Sequence, residues 1–120
     1  MQDHTRRSVA YIVVRLAGHP SGAVYDHHIR SWTNIAGHVD HGAIRIYDYD
    51  RRAHLSGLQF REGLSLFDHA DRAHLELSAS GSGRYTGYDH GTGSHFEVQA
   101  RGRSVEVYDH QTGQLHSYSV

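Results

Sequence analysis

Beyond the first twenty residues, apolar and polar side chains alternate in short runs separated by turn-forming breaks. HFEVQA and SVEVYDH show the pattern, with Arg101-Gly102 between them and QTG after them. A period of two puts successive side chains on opposite faces of a strand, and closely spaced turn signals predict antiparallel hairpins. The pattern predicts about eleven short strands. No stretch shows a helical period with caps, and the apolar run VAYIVV near the N-terminus joins the strands' aliphatic set through Val13 or its neighbours.

The hairpins are related. An aromatic residue followed by aspartate recurs at Tyr25, Tyr47, Phe67, Tyr88 and Tyr108, spaced 22, 20, 21 and 20 residues apart. This is an internal repeat of about 20 residues, one hairpin per copy. One face of every strand is aliphatic (Ile44, Ile46, Leu64, Leu66, Leu75, Leu77, Val105, Val107) and the other is polar at mid-strand. A meander with one wet face must close on itself, fold over, or pair with a second copy. Residues 1–120 are therefore expected to form a single all-β repeat domain, rolled or closed into a barrel-like sheet. The stretch LSGLQF strains the pattern, because strict alternation exposes Leu58 and Phe60; a bulge at Gly57 would turn them inward.

Register follows from the same alternation, since a one-residue slip would turn the aliphatic set outward. Pairing Val98 with Val105 leaves Arg101-Gly102 as a two-residue turn with a positive φ at its second position. Four-residue loops then place His90 opposite His95, His69 opposite His74, Tyr49 opposite His54 and His27 opposite Trp32, with Glu97 facing Glu106. The last loop reads one residue longer, which would set His116 against Asp109. The repeated aspartates (Asp26, Asp48, Asp68, Asp89, Asp109) fall on the aliphatic face at the strand ends, where a carboxylate can accept loop amides. The stretch DHQTG resembles the Asp-x-x-Thr-Gly hairpin turn of propeller blades, although a 20-residue period departs from a four-stranded blade.

Composition narrows the chemistry. The chain has no cysteine, so disulfides and thiolate metal sites are excluded. Its basic residues are all arginine, scattered along the chain and nearly cancelled by the acids, which argues against nucleic acid as a partner. The apolar run is broken by Arg15 and too short for a membrane span, so a cytoplasmic location is expected. No phosphate loop, cysteine nucleophile or Gly-x-Ser-x-Gly elbow is present, and catalysis is not expected. Thirteen histidines are the outlier.

Those histidines gather with aromatic residues near one rim of the polar face. Trp32, Tyr47, Tyr49, His54, Tyr88, Tyr108 and His110 form the candidate ligand surface, because rings with polar tips suit a carbohydrate, a small polar ligand or a protein partner. The opposed pairs His69 with His74 and His90 with His95 are candidate metal ligands, and imidazole suits zinc, nickel or copper. The leading expectation is a non-catalytic binding domain that requires no cofactor. Divalent transition-metal binding is the alternative, and a self-assembling homo-oligomeric unit is the second.

Overall fold

The computed structural model describes residues 1–61 and 63–120. Ten strands follow one helix: α1 (Asp3–Leu16), β1 (Ala23–Asp26), β2 (Ser31–Val39), β3 (Ala43–Asp48), β4 (Ala53–Phe60), β5 (Gly63–Asp68), β6 (Ala73–Gly81), β7 (Arg84–Asp89), β8 (Ser94–Arg101), β9 (Ser104–Asp109) and β10 (Gln114–Ser119). Each strand pairs antiparallel with its neighbour in sequence, and β10 closes on β1. The protein is thus nearly all antiparallel β, a closed ten-stranded meander barrel. Among the described residues, no helix is long and apolar enough to cross a membrane.

The helix corrects the expectation of an eleventh strand. Val9 through Val14 are all fully buried and belong to one core cluster with Ile35, Leu66, Leu75, Phe96 and Val107 of the barrel wall. α1 therefore fills the barrel's interior. A helix with apolar residues on every side can persist only where every side is covered, and the barrel supplies that cover. Periodicity is silent on such an element, because a short continuous apolar run reads equally as buried strand or buried helix. The stop signal was legible: the amides of Gly18 and His19 bond to the carbonyls of Arg15 and Val14, closing the helix with Gly18 at φ +93° and Pro20 just beyond.

The strand faces are as alternation requires, but each hairpin is displaced by two residues from the predicted register. The closing pairs are Asp26↔Ser31, Asp48↔Ala53, Asp68↔Ala73, Asp89↔Ser94 and Asp109↔Gln114. All five hairpin loops, the last included, hold four residues. His116 consequently stands opposite Val107 rather than Asp109, and Glu97 opposite Tyr108 rather than Glu106. The β8–β9 turn is Gly102-Arg103, between Arg101 and Ser104, with the positive φ at its first residue. A shift of two keeps every side chain on its own face, so hydrophobic alternation cannot detect it.

No bulge forms at Gly57. Ladder pairing runs through it without interruption on both sides, and Leu58 and Phe60 remain 66% and 58% exposed. The reason is space. A Cβ at Gly57 would lie 2.3 Å from the Ser65 carbonyl oxygen and 3.0 Å from Leu66 Cα, so glycine lets the strand bend tightly there while the alternation continues.

Candidate functional site

All five four-residue loops lie at one end of the barrel, and the aspartate that precedes each loop faces inward there. Their Oδ1 atoms accept amides two residues ahead, such as Asp89 from Gly91 at 2.9 Å and Asp109 from Gln111 at 2.9 Å. Asp26, Asp48 and Asp68 take a second amide as well, from Ile29, Arg51 and Asp71. Loop capping thus accounts for one oxygen of each carboxylate.

The second oxygens of Asp48 and Asp109 accept from α1 and that of Asp68 lies beside it, while Asp89 Oδ2 accepts from Thr92 of its own loop. Arg6 Nη1 donates to Asp109 Oδ2 at 2.8 Å, Arg7 Nε and Nη2 donate to Asp48 Oδ2 at 3.0 and 2.9 Å, and the Met1 ammonium lies 3.1 Å from Asp109. His4 Nε2 sits 2.6 Å from Asp71 and 3.5 Å from Asp68. The positive end of the helix dipole points the same way. Asp48 and Asp109 therefore receive their cations from the chain's own N-terminal segment, and His4 of the helix stands beside Asp68. Burial pushes the Asp109 carboxyl up, but the Gln111 amide, the Met1 ammonium and Arg6 outweigh it and hold Asp109 below the ordinary carboxylate range.

Among the described residues, one group of three possible metal ligands converges, His4 with Asp68 and Asp71. Arg51 Nη2 already donates to Asp71 at 2.8 Å, so a guanidinium supplies positive charge there. Burial, followed by Arg51, pulls the His4 pKa below its ordinary value. The repeat pattern did not mark this group, because His4 comes from the helix and not from a hairpin.

On the outer face above this ring, the predicted aromatic and histidine residues form clusters centred on the repeated aromatic residue. Tyr47 touches Tyr49 and His54, with ring centroids 5.0 and 4.7 Å apart. Tyr88 lies 4.7 Å from both His90 and His95, and Phe67 lies 5.0 Å from His69 and 4.8 Å from His74. Trp32 packs on Tyr25 at 5.1 Å and Tyr108 on His110 at 4.9 Å, while Leu115 takes the cross-strand place beside Tyr108. The displaced register thus sets His74 opposite Phe67 and His95 opposite Tyr88, where His69 and His90 were expected. In each case the aromatic ring packs against both imidazoles.

The loop-side histidines reach instead to the neighbouring hairpin. His69 Nε2 is 2.8 Å from Ser56 Oγ and His27 Nε2 is 2.7 Å from Ser119 Oγ, while His90 and His110 approach Glu76 and Glu97 at 3.7 and 3.4 Å. These contacts tie adjacent hairpins together along the rim, which is the work of a strand clamp. Trp32 and Tyr49 keep 60% and 55% of their surface exposed.

Lower on the same wall lies a groove of about 740 Å³. Cross-strand pairing lays out one row, His38–Arg45–Ser56–Phe67–His74, from β2 to β6, and a second, Ala43–Leu58–Ser65, beneath it. Small side chains at Ala43, Ser56 and Ser65 form the floor, while Leu58, Phe60 and Phe67 rise beside it. Leu58 and Phe60 are the two residues whose exposure the sequence pattern could not accommodate. Phe67 and His74 belong both to the groove and to the ring clusters. No protein-family model, curated protein or solved structure matches the chain.

Proposed function

We propose that this barrel is a non-catalytic binding domain that takes its ligand on the outer wall, where the ring clusters around Phe67 and Tyr47 run into the Leu58–Phe60 groove. The observation that carries this reading is the groove itself. Its volume falls within the roughly 300–1,000 Å³ usual for small-molecule sites, and its apolar walls meet a few convergent polar groups. Among the described residues, α1 packs its apolar side chains into the barrel interior with those of the wall. Rings at Tyr47, Tyr49, His54 and Trp32 would extend the surface toward the loop rim and suit a ligand with a flat apolar face, a sugar among them. A cytoplasmic setting is part of the same proposal.

The test is a fragment screen read by amide chemical shifts on the isotopically labelled protein. Hits should cluster on β3, β4 and β5, and Phe60→Ser should abolish them while leaving the melting temperature nearly unchanged, because Phe60 is exposed. Hits confined to the loop rim, or unaffected by Phe60→Ser, would refute the groove as the site.

A further inference from the structure

The groove's charge is one-sided, and that permits a step beyond its being a binding site. Arg45 stands in the middle of the upper row, flanked across the strands by His38 and Ser56. Among the described residues, no carboxylate lines the groove and none lies within ion-pair distance of Arg45. His38 is occupied, with its Nε2 2.5 Å from Asp40 Oδ2, so Arg45 is the cation left to the groove. At the other end, the Arg61 guanidinium lies over the Phe60 ring, 5.3 Å from its centroid, and adds positive potential beside the apolar wall. Of the acids of the outer wall, Glu97 and Glu106 lie away on β8 and β9, while Glu76 on β6 stands across from the floor residue Ser65, outside the groove lining, with its carboxylate 3.7 Å from His90.

Resting on the groove being the binding site, we infer that its ligand is a small organic anion with an apolar body, a carboxylate whose head pairs with Arg45 and whose body lies on the Ala43–Ser56–Ser65 floor between Leu58, Phe60 and Phe67. The planar guanidinium fork matches a carboxylate bidentately, which an ammonium at the same place would not. The floor is built to admit an aliphatic chain or flat ring. Its side chains are the smallest on this part of the wall, and Gly57, between Ser56 and Leu58, draws the β4 backbone close to β5. A neutral ligand would leave Arg45 unmatched, and a cationic one would be repelled at both ends.

The test uses three probes of one chain length, decanoate, decanol and decyltrimethylammonium, each kept below its aggregation concentration and titrated into the labelled protein. Decanoate should shift and saturate the amide signals around Arg45, Leu58 and Phe60, with the other two binding at least tenfold more weakly. Arg45→Gln should weaken decanoate about tenfold and leave decanol unchanged, and Leu58→Ser should weaken both. Raised salt should weaken decanoate alone. Decanol or decyltrimethylammonium binding in the groove as tightly as decanoate, or Arg45→Gln binding decanoate like the parent, would overturn the anion and leave the groove standing. If none of the three probes shifts the groove amides, both the anion and the groove fall.

Discussion

Replacing Asp109 by asparagine separates the two jobs given to the inward-facing aspartates. Asparagine keeps an oxygen for the Gln111 amide, so the loop cap survives, but the charge that faces Arg6 is removed. Arg6 and Asp109 are nearly or wholly buried, with 6% and 0% of their side-chain surface exposed. Two unit charges about 4 Å apart interact by roughly 4 kcal/mol at an effective dielectric of 20. Breaking one member of a buried pair costs about 3–5 kcal/mol. Arg6 keeps the Met1 carbonyl and the Asp3 carboxylate as partners, which argues for the lower end, about 3 kcal/mol. Asp26→Asn is the internal control. Asp26 caps its loop through His28 and Ile29 in the same way, yet no cation lies within ion-pair distance of it among the described residues. Its replacement should cost at most about 1 kcal/mol, the scale of one neutral hydrogen bond. Urea unfolding at pH 7, followed by far-ultraviolet circular dichroism, reads the difference; fluorescence is a poor reporter because the single tryptophan is 60% exposed. Equal losses for the two variants would refute the pairing of ring and helix and leave capping as the aspartates' whole role.

Three further outcomes are expected. The fourth residue of every four-residue loop has a positive φ, filled by Gly93 and Gly113 in two hairpins and by Arg30, Arg52 and Arg72 in the others; Gly113→Ala should therefore cost about 1 kcal/mol, whereas Arg52→Gly should leave thermal stability equal or higher. Gly57→Val should destabilise by about 2 kcal/mol or more in urea, because its Cβ would meet the backbone of β5 at 2.3 Å, where no side chain can yield. Burial holds the pKa values of His4 and His116 below 6.5, so the stability they carry is complete above that pH and is lost as pH falls through their lower folded values. The melting temperature should accordingly drop as pH falls below 6.5, less steeply in His4→Gln, and drop again below pH 3.8 as Asp109 is protonated.

Much of the barrel was legible in the sequence. The apolar columns at Ile44, Leu66, Leu75, Val105 and Val107 gave the buried face, and a meander with one wet face left closure, folding over or pairing as ways to cover it, of which the barrel is the first. The register error had a remedy in the same residues. An aspartate that caps a loop through the amide two positions ahead stands just before that loop, and with a four-residue loop this pairs Asp89 with Ser94. The helix was less accessible. VAYIVV is rich in β-branched residues, and its conformation is decided by the barrel that surrounds it rather than by local propensity. The groove was hidden by a correct observation wrongly repaired. Strict alternation exposes Leu58 and Phe60, and a bulge at Gly57 would hide them, but their exposure is the feature. In the sequence Arg45 is one polar mid-strand residue among several, because its isolation from acids depends on how five strands are laid side by side.

The closure of the barrel has a consequence for how it opens. Nine of the joins between strands are made by neighbours in sequence with four to six paired residues each, whereas β1 meets β10 across nearly the whole chain at Tyr25↔Ser119 and Asp26↔Tyr118 alone. That junction is the seam of the cylinder. Closing it brings together ends that the chain holds apart, so its loop-closure entropy is the largest in the molecule while its ladder is the shortest. Amide hydrogens of β1 and β10 should exchange with solvent ahead of those in β5 and β6, and α1 would gain a route out of the interior whenever the seam parts.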